Sequence, residues 1–517
     1  MKRLCIIAMT TWLVATSATA EESVDLDMLE NIRNEGFNRS EVMESLRVLS
    51  DEIGPRLTAS PAMRAASQWS IERFESWGID DVYLEPFRFG RGWVMNRHEI
   101  HMTSPRQVQL HGLPIEYHPS TAGVLEGEIV YAPIKAEADF KAWTGKLQGK
   151  VVLLDDVQAS RERQSKVYSR LSDAELDERA RPADPLEGRK YTDSWAKELK
   201  FLQDLDVFLV REGAVAMVRN NNNTSMAINN DGYQHHAGLT PETPAVMLFT
   251  EHYERLLRLA AAGHVVRLSV DIDVSYFDDD HNGYNTIAEI PGRGPNPEIV
   301  MAGAHMDSHS TGDGASDNAA GVAIVMEAAR ILKALDVQTT RSIRFGLWSG
   351  EEQDIYGSAQ YVRNNFGSFP NKIDAIFKNV GALEAADRSK NIVKAGEYDR
   401  FSVYFNVDGG AGKIRGIYTQ GNAAAIPIFE SWLLPLHDLG ATHVTENYTG
   451  NTDHESFQLI GLPGYQFIQD RNLGNGGAHT QLDIYDEIYV EDLKQASVIL
   501  ASLLYHAAMR AERMPRK

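Results

Sequence analysis

Cysteine is nearly absent from this chain: of 517 residues only Cys5 carries a thiol, and it lies within the first twenty positions. Those positions place Lys2 and Arg3 ahead of a mostly apolar run from Leu4 to Ala15, then Ala18-Thr19-Ala20 before Glu21-Glu22. That order reads as a secretory signal peptide, residues 1–20, cut after Ala20. A membrane anchor is the alternative, but the run is shorter than the ~20 residues a spanning helix needs. With the signal removed no cysteine remains, which excludes disulfides and thiolate metal ligands and suits a bacterial periplasm better than a eukaryotic secretory route. The expected location is secreted or periplasmic.

Long apolar runs are also lacking beyond that leader, so no membrane-spanning segment is expected. Positive charge is in deficit: 51 Lys and Arg face 72 Asp and Glu, for a net charge of -21. Loss of Lys2 and Arg3 with the signal takes this to -23. Neither nucleic acid nor an anionic membrane is a natural partner for such a surface. Repeats of fixed period are missing, and low complexity is confined to Asn220–Asn223.

What is present is enough apolar content, 43%, to build large cores and two or three domains. Helical spacing is predicted over 25–37, 40–50 and 62–77, followed by a strand at 82–84. From 116 to 272 the texture changes: short strands at 128–131, 150–154, 214–218, 245–248 and 265–270 flank a charged helical insert over 160–201 and a helix over 250–262. No metal-ligand spacing marks this stretch, so a structural or lid module is expected. From 273 onward, near-continuous apolar strands at 286–290, 299–304, 342–348, 401–407 and 464–468 alternate with helices at 319–335, 358–364, 424–436 and 490–511. That alternation predicts an α/β fold whose mostly parallel or mixed central sheet is covered by helices on both faces.

In such sheets the ligand crevice lies beyond the carboxyl ends of the strands. There the sequence places His305 and Asp307, then Glu351 and Glu352, then Asp408, and after the last strand His479; Asp317 closes a loop and opens a helix. Each has an ordinary reading: Asp317 as a helix cap, the histidines as satisfied core or surface groups, the glutamates as a solvated loop. Their coincidence at several strand ends argues for convergence.

Three segments carry a resemblance: Ala304-His305-Met306-Asp307-Ser308, Gly314-Ala315-Ser316-Asp317-Asn318-Ala319-Ala320-Gly321, and Trp348-Ser349-Gly350-Glu351-Glu352-Gln353 with Tyr356-Gly357-Ser358. With Thr452–Phe457 and His479–Asp483, they resemble the M28 family of zinc exopeptidases over about 280–510. Residues 116–272 resemble that family's protease-associated insert, and the layout resembles the carboxypeptidase Q branch. The resemblance implies residues 21–115 as the first part of the catalytic domain, 116–272 as the insert and 273–517 as the main catalytic domain. It implies two zinc ions: His305 and Asp408 on one, Glu352 and His479 on the other, Asp317 bridging both. Imidazole and carboxylate suit an open catalytic zinc site, and two cations about 3.5–4 Å apart need a shared anion.

It also makes Glu351 the general base, while Asp307 is expected to be an acceptor behind the ligands that fixes the His305 tautomer. Asp374, Glu384 and Asp387 compete with Asp408, which alone directly follows a strong apolar strand. Tyr448 could hydrogen-bond a tetrahedral intermediate, Asp453 and His454 could shape the rim, and Arg415 or Arg471 could clamp a substrate carboxylate. The expected substrate is a peptide or dipeptide, attacked by an aminopeptidase or a dipeptidase. Other readings are a one-zinc glutaminyl-cyclase-like acyltransferase and a non-catalytic receptor that has lost its metals; helical surfaces near 424–436 and 490–511 could support a homodimer.

Overall fold

A computed structural model describes residues 22–156, 170–180, 189–221, 227–232, 240–370, 390–470 and 477–517. The expected signal peptide lies outside these residues, as do Arg471, Asp374, Glu384 and Asp387. Among the described residues no helix is long and apolar enough to cross a membrane.

The site-bearing sheet has eight strands. From edge to edge they are Asp81–Arg88, Asn282–Ile290, Ser342–Trp348, Ile299–His305, Phe401–Asn406, Gly464–Gln469, Ile414–Tyr418 and His443–Thr445. The four central strands from Ser342–Trp348 to Gly464–Gln469 run parallel, and antiparallel pairs flank them. Strands buried on both faces need apolar residues at successive positions, and Ile299–His305 and Ser342–Trp348 are buried throughout.

Alternate residues then meet different layers. Val300, Ala302 and Ala304 join the core under the helices Ala320–Ala334 and Val490–Met509. Ile299 and Met301 face an aromatic layer with Trp348, Phe366, Tyr404 and Phe457. The rings of Tyr404 and Phe457 stack there with centroids 4.2 Å apart. Ala320–Ala334 is apolar on nearly all sides because it is enclosed between the sheet and outer helices, where an amphipathic pattern would bury polar groups. The helix Leu26–Asn38 is capped by Asp25, which accepts the Met28 N–H at 2.9 Å, and Pro61–Ser76 is capped by Ser60 with proline at its first turn.

A second eight-stranded sheet runs Val108–Gln109, Gly92–Ser104, Arg267–Phe277, Leu125–Tyr131, Lys150–Leu153, Ala216–Asn220, Ala245–Leu248 and Gly112–Pro114. It takes in Gly92–Ser104, Val108–Gln109 and Gly112–Pro114 from the stretch expected to precede the insert, and it runs on to Phe277, past residue 272. The described parts of the charged insert form the helices Asp173–Ala180 and Arg189–Arg211. Residues next to this sheet reach the loop after His305: Glu116 accepts the Ser310 N–H at 2.6 Å, and Asn230 donates to Ser310 Oγ at 3.1 Å and to the Pro114 carbonyl at 2.8 Å.

Candidate metal centre

His305 is the last residue of its strand, with its imidazole almost wholly buried. Its Nδ1 lies 3.0 Å from the main-chain carbonyl of Asp307, so Nδ1 carries the proton and Nε2 turns outward with its lone pair. Asp307 is thus the acceptor behind His305, through its main chain and not its carboxylate. That carboxylate is 3.8 Å from Nδ1, too far for a hydrogen bond. It faces the next strand end, accepting the N–H of Glu351 and of Glu352 at 3.3 Å each and the Thr58 hydroxyl at 3.1 Å. It holds the turn that carries both glutamates.

Around His305 Nε2 stand Asp317 Oδ1 at 3.2 Å, Asp408 Oδ1 at 3.5 Å and Glu351 Oε2 at 3.9 Å. The second oxygen of Asp317 lies 3.0 Å from His479 Nε2, which is 3.1 Å from Glu352 Oε2. Asp317 thus stands between two imidazoles and offers one oxygen to each. Potential ligand atoms of His305, Glu351 and Asp408, and again of His305, Asp317 and Glu352, fall within 4.8 Å of one another. All five sequence-based ligand candidates and Glu351 are brought together.

The electrostatics fit a divalent cation. Burial raises the Glu351 carboxyl well above its ordinary value, and the fields of Asp408, Glu352 and Asp453 push it further. Burial alone would push the His305 imidazole down, yet the fields of Glu351 and Asp408 and the contact with Asp317 hold it well up. Carboxylates packed this closely against imidazoles need positive charge among them. A buried Glu352 Oε1 also has no hydrogen-bond partner.

The loop carrying Asp317 is fixed from three sides. Asp483 accepts the N–H of Ser316 at 2.6 Å and of Asp317 at 3.0 Å. Asn318, not Asp317, accepts the Gly321 N–H at 3.0 Å, which leaves the Asp317 carboxylate for the cavity. Arg56, fully buried, donates to the carbonyls of Met306, Leu49, Gly54, Asp313 and Gly314. One guanidinium ties the loop after His305 to the loop before Asp317.

Three participants escape a reading of the sequence. His309 Nε2 lies 3.1 Å from Glu352 Oε2, and its Nδ1 lies 3.0 Å from both Glu116 Oε2 and Asp231 Oδ1. Asp231 also sits 3.5 Å from His479 Nδ1. His309 is two residues past Asp307, and that proximity is its only local signal. Glu116 and Asp231 come from the 116–272 stretch, expected to be structural, and no spacing marks them.

The cavity in front of these groups has a volume of ≈ 310 Å³; Arg179, Tyr418, Thr449–Thr452 and Phe467 also line it. Gln420 clamps Thr449 by donating to its carbonyl at 3.0 Å and accepting its N–H at 3.1 Å, while His454 Nε2 reaches the same carbonyl at 3.0 Å. His454 supports the rim from behind. Asp453 is fully buried, and burial raises its carboxyl to about 7. Tyr448 does not line the cavity; its ring is exposed and its hydroxyl meets Lys517. Arg415 is likewise engaged elsewhere, with Asp470 and the carbonyls of Leu171 and Gly440.

A family model described as peptidase family M28 matches residues 285–504. Mouse carboxypeptidase Q is 24% identical over 483 residues, covering 93% of this chain and 87% of that protein. Among solved structures, a peptidase M28 precursor from Shewanella amazonensis superposes with TM-score 0.66 at 22% identity, covering 95% of this chain and 98% of that one. A zinc aminopeptidase from Bacillus subtilis superposes with TM-score 0.58 at 20% identity, covering 92% and 96%. At those identities the structural likeness speaks for the fold.

Proposed function

Because this chain belongs to peptidase family M28, on its carboxypeptidase Q-like branch, and is a metallopeptidase, we propose that it is a secreted exopeptidase that uses two zinc ions to hydrolyse dipeptides and other short peptides with a free terminus. The observation that carries this reading is the double-facing Asp317 carboxylate, 3.2 Å from one imidazole and 3.0 Å from the other. His305 and Asp408 would hold one ion and Glu352 and His479 the other, with Asp317 shared. When bound, such ions polarise a carbonyl oxygen and lower the pKa of water toward about 7.

The chain's own groups account for the remaining steps. Glu351, buried at the cavity wall, takes the proton of the attacking water as its oxygen bonds to the peptide carbonyl carbon. The same carboxyl then delivers that proton to the leaving nitrogen as the C–N bond breaks. Asp307 keeps the Glu351–Glu352 turn in place.

Arg179 supports a substrate with a free carboxylate. It is the only arginine or lysine among the described residues lining the cavity, and it donates to Tyr418 Oη at 3.4 Å. A guanidinium there can pair with a terminal carboxylate. The test is a panel of dipeptides and aminoacyl anilides, assayed after chelation and again after zinc is restored. Zinc-dependent release of free amino acids from dipeptides is expected; hydrolysis that survives chelation undiminished would defeat the reading.

A further inference from the structure

His309 and His479 share an environment. Their ring centroids are 4.4 Å apart, both Nε2 atoms lie 3.1 Å from the same Glu352 Oε2, and both Nδ1 atoms face Asp231. For His309 the Nδ1 side holds two carboxylates, Glu116 and Asp231. A neutral imidazole so placed keeps its proton on Nδ1 and leaves a lone pair on Nε2. That Nε2 is buried without a hydrogen-bond partner and aimed at a carboxylate oxygen. Two lone pairs 3.1 Å apart repel unless something positive stands between or beside them.

We propose that His309 is an additional protein ligand of the ion held by Glu352 and His479, with its ring oriented by Glu116 and Asp231 from the segment that builds the second sheet. This rests on the two-zinc reading above. The consequence is an asymmetric pair. One ion would have four protein ligands, from Asp317, Glu352, His479 and His309. The other would have three, from His305, Asp317 and Asp408, and so keep the open position that chemistry requires. The second-sheet segment then contributes to the centre directly, by supplying the carboxylates behind two ligand imidazoles.

A competing arrangement uses the Nδ1 side. Ligand atoms of Asp231, His309 and His479 fall within 4.8 Å of one another, so a separate ion could sit there. Glu116 argues against it, because its carboxylate, anchored by the Ser310 N–H, already fills part of that space beside His309 Nδ1.

The experiment uses the whole protein loaded with zinc or cobalt. X-ray absorption on the wild-type zinc form should count three imidazoles over two ions, and this needs no variant. Chelator competition should remove one ion readily and the other at least about tenfold less readily. His309→Ala should erase that difference and shift the visible spectrum of the cobalt form, and added imidazole should restore both. Glu116→Gln should weaken the tighter ion while leaving the cobalt spectrum in place. Two imidazoles over two ions, or an unchanged cobalt spectrum in His309→Ala, overturns the proposal and leaves the two-zinc reading standing. Three ions per chain also overturns it, in favour of the separate site. Fewer than two ions in the wild type sinks the underlying reading instead.

Discussion

The carboxylate of Asp483 receives the main-chain N–H of Asp317 at 3.0 Å and that of its neighbour Ser316 at 2.6 Å. A residue four positions past His479 therefore fixes the loop of the carboxylate proposed to bridge the metals. Asp483→Asn replaces one acceptor oxygen with a donor that meets an N–H head-on. Zinc affinity is expected to fall about 10–100-fold, read by chelator competition. An unchanged affinity would show that the loop holds its own shape.

Glu351→Gln should keep its metal content and lose about 10²–10⁴-fold in kcat, because Gln cannot accept the proton. The metals are the control: a variant that loses both ions and turnover would place Glu351 among the ligands.

Arg179→Gln should raise KM for dipeptides about 10–100-fold, the worth of one charge-assisted hydrogen bond. Aminoacyl anilides have no terminal carboxylate and should be unaffected. Equal losses on both substrate classes would remove Arg179 from carboxylate recognition.

Arg56→Met would leave five carbonyls, four of them in buried bonds, without their donor and Asp307 and Asp483 without a nearby compensating cation. Urea unfolding of the metal-free protein should show a loss of about 3–5 kcal/mol. A loss below about 1 kcal/mol would mean that water or another side chain replaces the guanidinium.

His118 is buried in the second-sheet region, with Nδ1 donating to the Thr243 carbonyl at 2.8 Å, and burial pushes its pKa down to about 4. Below the unfolded value near 6.5 the unfolded chain takes up a proton that the native state refuses, so this group's share of stability falls as pH drops toward 4. Asn at this position can still donate to Thr243 but does not titrate. The destabilisation caused by His118→Asn at pH 7 should therefore shrink at about pH 4.5 by about 2 kcal/mol. A pH-independent difference would show that His118 is solvated.

Much of the site is legible before the fold, for a physical reason. Parallel strands buried on both faces leave a strong apolar signal, and their carboxyl ends converge, so His305, Glu351, Glu352 and Asp408 are marked by where the apolar runs stop. Asp317 is marked by its motif, although its neighbour Asn318, not Asp317, bonds into the helix. Asp307 accepts from His305 with its main chain while its carboxylate turns to the Glu351–Glu352 loop, a division that sequence distance cannot give because it does not say which way a side chain turns after a strand end. Gly92–Ser104 leaves no clear strand signal because its pairing in the second sheet leaves polar residues such as Asn96, Arg97 and Glu99 along it. Glu116 and Asp231 have no local signal at all, since only contacts between segments distant in sequence bring them to the histidines. Arg179, in a charged helix, looks like any solvated arginine until Tyr418 and the cavity are beside it.

The most direct test of the central claim is the metal content of pure, active protein beside that of Asp317→Asn. Two zinc ions per chain in the wild type and at most one in the variant are expected, since among the described residues no other carboxylate stands within 3.2 Å of both His305 Nε2 and His479 Nε2. A wild type active with no bound ion, or a variant that retains both, would contradict it.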